Sequence, residues 1–135
     1  MKLKRVIYEL FEMDFGNLKG KSDSDSHEID CEIYLEFETG EKFYFSWSSK
    51  PVQYCIGFKS ERFNVNDPAH LIEATHWKVW RELIEEEISF VFIDESHQIL
   101  ELKAQSSSTY LSSQEHGIYF TDVLHISKAL PVMST

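Results

Sequence analysis

The alternation of apolar and polar residues is clearest between Ile29 and Ser48. Ile29, Cys31, Ile33, Leu35 and Phe37 alternate with Asp30, Glu32, Tyr34 and Glu36, the period of two that buries one face of a strand. Glu38-Thr39-Gly40-Glu41 interrupts it, and Gly40 supplies the positive φ that a tight turn often needs. Phe43, Phe45 and Trp47 then alternate with Tyr44, Ser46 and Ser48. The pair predicts a hairpin with its acids on the outer face. Tyr54, Ile56 and Phe58 predict a further strand. The opening segment Leu3–Phe15 fits both a helical stripe and a strand face, and its β-branched and aromatic residues favour strand. Residues 16–28, with Gly16, Asn17, Gly20 and alternating Ser and Asp, read as a mobile acidic loop.

A different period follows. Asp67 suits an N-cap and Pro68 a first helical position. Ile72, His76, Val79, Trp80, Leu83 and Ile84 then recur at three and four residues, which predicts an amphipathic helix over about 68–86. Glu85, Glu86 and Glu87 would close it with the wrong sign for a helix C-terminus, at a cost of roughly some tenths of a kcal/mol each. Ile88–Ile93 reads as a central strand, Asp94 to His97 as a turn, and Ile99, Leu100 and Leu102 as the next strand. The last strand sets Ile118, Phe120, Asp122, Leu124 and Ile126 against Tyr119, Thr121, Val123 and His125, after which residues 130–135 should fray. The expected architecture is α+β: one domain over 1–135, a mostly antiparallel sheet of six to eight strands, and one principal helix packed on it.

Composition narrows the function. Net charge is −10, while hydrophobic residues make up 42% and aromatics 14%, so a packed core is expected rather than an acidic disordered chain. Two windows without Lys or Arg, Ser22–Glu41 and Glu82–Leu102, hold fifteen of the 23 acidic residues. Such a balance argues against nucleic acid, whose binding needs a Lys/Arg footprint, and against an anionic membrane surface. It suits a basic protein partner. Cys31 and Cys55 sit in strand-like apolar surroundings without a preceding signal peptide, and no apolar run approaches the ~20 residues of a membrane span. Buried thiols in a cytoplasmic protein are expected.

Sites for chemistry are thin. His70, Glu73 and His76 place two His six apart, on different faces of a helix, which does not suit zinc. Asp23, Asp25 and His27 lack the Gly and closing Glu of a calcium loop. Cys55 with His125 has no activating context. No metal, cofactor or catalytic motif is expected. Asp122, on an apolar strand face, could with His76 and His125 line a pocket between helix and sheet, as in a small α+β enzyme or ligand-binding domain. A further alternative is assembly through an exposed strand edge.

The string Trp80-Arg81-Glu82-Leu83-Ile84, then Glu87-Ile88 and an apolar strand, resembles small bacterial immunity proteins of polymorphic toxin systems. In those, a Trp-x-x-Leu-Ile-Gly-Lys-x-Ile-like segment enters a strand, followed by hairpins with a Phe-x-x-Gly-type turn. Phe37-Glu38-Thr39-Gly40 and Asp122-Val123-Leu124-His125-Ile126 are similar in kind, while Glu85-Glu86 stands where the pattern has Gly-Lys. The resemblance implies a non-enzymatic protein that caps a toxin domain with its acids. It carries no residue roles across. From charge and outward position the candidate contact residues are Glu32, Tyr34, Glu36, Tyr44, Glu85, Glu86, Glu87, Asp94 and Glu95.

Overall fold

A computed structural model describes residues 1–10, 18–29, 32–48, 55–64, 66–113 and 124–130. Among these residues ten strands build two five-stranded antiparallel sheets. They are β1 (Leu3–Leu10), β2 (Ser26–Ile29), β3 (Glu32–Phe37), β4 (Lys42–Ser48), β5 (Cys55–Lys59), β6 (His70–Glu73), β7 (Ser89–Phe92), β8 (Ile99–Lys103), β9 (Ser108–Ser112) and β10 (Leu124–Ser127). The first sheet runs β5-β4-β3-β1-β6 and the second β2-β10-β9-β8-β7. The described residues contain no helix, so the expected α+β class gives way to an all-β one.

The segment 68–86 shows why. Residues 70–73 pair with β1 as β6. Beyond them the backbone donors go to tertiary partners: Ala74 N–H to the Val6 carbonyl (2.9 Å) and Lys78 N–H to the Ser22 carbonyl (2.8 Å). Trp77, Trp80 and Leu83 each donate to the carbonyl three residues back, and only Arg81 N–H reaches four back, to Trp77. Consecutive i→i−4 bonds, the signature of an α-helix, are therefore missing. Consecutive tight turns return a side chain to the core every three or four residues, which imitates a helical stripe. Val79, Trp80 and Leu83 are indeed fully buried. Asp67 caps nothing: its side chain is 98% exposed and lies 3.2 Å from Arg62.

The first hairpin forms as expected between β3 and β4. Phe37 and Glu41 join across a turn in which Gly40 has φ +90°. The alternation from Ile29 to Phe37 is nevertheless not one strand. Ile29 ends β2 in the second sheet and Glu32 begins β3 in the first, so the two halves of the alternation belong to different sheets. Ser26–Ile29 thus replaces the end of the expected 16–28 loop, and two turns precede it, with Lys21 N–H donating to the Leu18 carbonyl and Ser24 N–H to the Lys21 carbonyl. Leu3–Leu10 is a strand, central in its sheet. Ile88–Ile93 was expected to be central; instead β7 is an edge strand, with Val91 45% and Ile93 44% exposed.

The two sheets pack face to face. Phe90 of β7 meets Phe37, Phe43, Phe45 and Phe58 of the first sheet at ring separations of 6.0, 5.8, 5.4 and 5.4 Å, within the range of favourable edge-to-face contacts. At the other side of the interface the Trp80 indole N–H donates to the Tyr8 hydroxyl (2.6 Å), which lies 2.6 Å from His27 Nε2. Trp77 packs edge-on to both Tyr8 and His27. This buried polar chain links β1, the 77–80 turns and β2.

Candidate functional site

Strand register fixes what the first sheet shows on its outer face. Ile7 stands between Glu73 and Tyr34, and Tyr34 is followed across the sheet by Tyr44 and Lys59. On one side of this row lie Arg5, Glu36 and Lys42, and on the other Leu71, Glu9 and Glu32. Four of the residues chosen from sequence, Glu32, Tyr34, Glu36 and Tyr44, therefore do share one face. Tyr34 and Tyr44 pack as rings 5.2 Å apart. The Tyr34 hydroxyl donates to Glu36 (2.8 Å), and burial together with that carboxylate pushes the phenol up to about 12. The same bond, with Lys4 at 3.5 Å, holds the Glu36 carboxyl below its ordinary range.

The face is less open than its sequence implied. Glu32 is buried and accepts from the backbone N–H of Phe63 and, at 3.3 Å, of Asn64. Tyr44 is largely buried. Both are covered by the 60–64 segment, which lies across the sheet as a strap. Arg62 of the strap approaches Glu9, its Nε 2.9 Å from Oε1. The Glu9 side chain is only 7% exposed, and burial raises its pKa against the pull of Arg62. Neither Glu9 nor Arg62 is among the contact residues that the sequence suggests. Glu9 broke an otherwise apolar strand face, which is the one signal that could have marked it.

Partners from elsewhere in the chain neutralise much of both acidic windows. Asp23 pairs with Arg81 and Asp25 with Lys78, both at 2.8 Å, Glu82 with Lys128 at 4.0 Å, and Glu87 with the amino group of Met1 at 2.5 Å. Exposed pairs of this kind add little to stability, because water and salt screen them. Asp94 is half-buried and closes its own turn, accepting from Ser96 Oγ (2.6 Å) and from the N–H of Ile99 and Gln98. Burial would raise its pKa, but these bonds outweigh that and lower it.

Among the described residues, Glu38, Glu41, Glu85, Glu86 and Glu95 carry no ion pair. Four of these five gather at one end of the first sheet. Glu38 N–H donates to the Lys2 carbonyl (2.9 Å), while Lys2 bridges to Glu87 on its other side. Glu85 N–H donates to the Leu3 carbonyl (2.7 Å), and Leu3 N–H to Glu86 (3.2 Å). The β3–β4 turn and the 85–87 turn thus flank the start of β1, about 10 Å apart at ordinary strand spacing. The two windows therefore adjoin in space at this end of the sheet. Glu95 lies apart, in the β7–β8 turn.

The pocket reading loses its frame, because the helix that would have walled it is absent. His76 is exposed after β6, His125 lies on β10 in the other sheet, 3.7 Å from Glu28, and Asp122 falls outside the described residues. Within the described residues no group of His, Cys, Asp and Glu is arranged to hold a metal ion, and no helix is long and apolar enough to cross a membrane. No protein-family model, no curated protein and no solved structure matches the chain.

Proposed function

We propose that the chain is a non-enzymatic binding domain that presents the acidic end of its first sheet, and the aromatic and charged face beside it, to a basic protein. Its most concrete form is a cytoplasmic immunity protein that caps the active-site surface of a toxin. The observation that carries the reading is the meeting of the two acidic windows around Lys2, where Glu38, Glu41, Glu85 and Glu86 are exposed without a cationic partner. Such a cluster speeds encounter with a basic surface and fixes its orientation. A second feature supports the resemblance to immunity proteins. Glu85, at the place where their pattern has a glycine, adopts φ +69°, the left-handed conformation that glycine takes without strain. Trp80, Leu83 and Ile88 around it are buried, as anchors of that segment would be.

The test is genetic. The gene beside this one is expressed alone and together with this chain. Toxicity relieved by the chain, and not by a variant with Glu38, Glu41, Glu85 and Glu86 changed to Lys, is the expected result. A neighbour that is harmless, or equal protection by both forms, would remove the immunity reading.

A further inference from the structure

We propose that the Glu9 carboxylate, with the Tyr44 hydroxyl beside it, is a seat for an arginine side chain of the partner, and that Arg62 occupies this seat in the free protein. The inference rests on the reading of the chain as a binder of a basic protein and names the group it would take.

The seat is built. Glu9 is the penultimate residue of β1, an interior strand, with its side chain 7% exposed. A carboxylate at that depth is costly unless a cation and hydrogen bonds satisfy it. Arg62 does so poorly. Its Nε is 2.9 Å from Oε1 but out of line, so Oε1 is buried without a hydrogen bond. Its other contact, NH2 to Oε2, is long at 3.4 Å. Arg62 is also shared, since it reaches the Tyr44 hydroxyl and, at 3.2 Å, the exposed Asp67. An aligned guanidinium would give the carboxylate two parallel bonds, which the ammonium of a lysine does not.

The exchange needs little movement. The strap backbone is held independently, by the Phe63 and Asn64 N–H groups on Glu32. Only the Arg62 side chain, 35% exposed, has to swing out. Glu32 stands directly across from Glu9 and adds to the negative potential that would draw an incoming guanidinium.

The test uses Arg62→Ala with methylguanidinium and methylammonium as probes, each at low millimolar concentration, followed by thermal unfolding. Methylguanidinium is expected to raise Tm saturably, by about 2–4 °C. Methylammonium should not, and the Arg62→Ala/Glu9→Gln double variant should not respond to either. Should Arg62→Ala fail to fold, Arg62→Gln carries the same titration, with the Glu9 carboxyl carbon signal in NMR as readout. No saturable rise, an equal response to methylammonium, or a response that survives Glu9→Gln would show that Glu9 and Arg62 form a structural pair only. These probes require no protein partner. Their failure would leave protection from a toxin untouched, and loss of protection would leave guanidinium binding measurable.

Discussion

Glu9 and Glu32 stand opposite each other on β1 and β3, two buried carboxylates in register on the outer face of one sheet. Like charges so placed are destabilising. One strap offsets both: Arg62 faces Glu9, while Phe63 and Asn64 N–H face Glu32. Glu32→Ala would leave two donors without an acceptor and is expected to cost about 2–3 kcal/mol. Glu32→Gln, which keeps one acceptor oxygen, should recover part of it. Urea unfolding measures both, and hydrogen exchange at Phe63 and Asn64 should quicken in the Ala variant before the sheet amides do.

His27 sets an acid limit on stability. Burial first, then His125 and Lys21, lower its pKa from the ordinary 6.5 to about 4, so the folded protein holds it neutral where the unfolded chain would protonate it. The depressed value means stability is complete above the unfolded pKa and falls as pH drops from 6.5 towards 4, by at most about 3 kcal/mol. Unfolding free energies of the native protein and His27→Gln at pH 7, 5.5 and 4.5 should converge as pH falls. Parallel lines would mean that His27 titrates normally in the folded state.

Phe90 is the point at which the sheets interlock, touching four Phe rings of the opposite sheet. Phe90→Ala should therefore cost about 3–5 kcal/mol. Phe90→Leu, which keeps most of the volume, should cost less than half as much by the same measurement.

Glu85 holds φ +69°, a conformation that costs a residue with a side chain about 1–2 kcal/mol. Glu85→Gly relieves it, partly offset by glycine's greater freedom when unfolded, and should stabilise by up to about 1 kcal/mol. Glu85→Val should destabilise by at least as much. Thermal unfolding of the two variants gives the sign directly.

Local patterning made several elements legible. β1 followed from Val6, Ile7 and Tyr8, and the β3–β4 hairpin from its alternation and Gly40. Burial of Trp80 and Leu83 was also readable, because core positions announce themselves by hydrophobicity whatever the backbone does. The helix was not, since tight turns spaced three or four residues apart bury the same positions, and only the tertiary bonds of Ala74 and Lys78 distinguish the two. That Ile29 and Glu32 belong to different sheets was hidden because the alternation of the sequence does not break between them. The charged face was half legible. Period two puts Glu32, Tyr34, Glu36 and Tyr44 on one face, but Glu32 and Tyr44 are buried by a strap whose position depends on contacts about 30 residues away in sequence.

The acidic end of the first sheet is tested most directly by affinity capture from a native cell extract, with the unaltered chain and with Glu38, Glu41, Glu85 and Glu86 all changed to Lys. A basic protein should be retained by the unaltered chain at low salt, released as salt rises through a few tenths molar, and missing from the charge-reversed form. Retention of the same protein by both forms, or retention unaffected by salt, would contradict a partner surface built from these carboxylates.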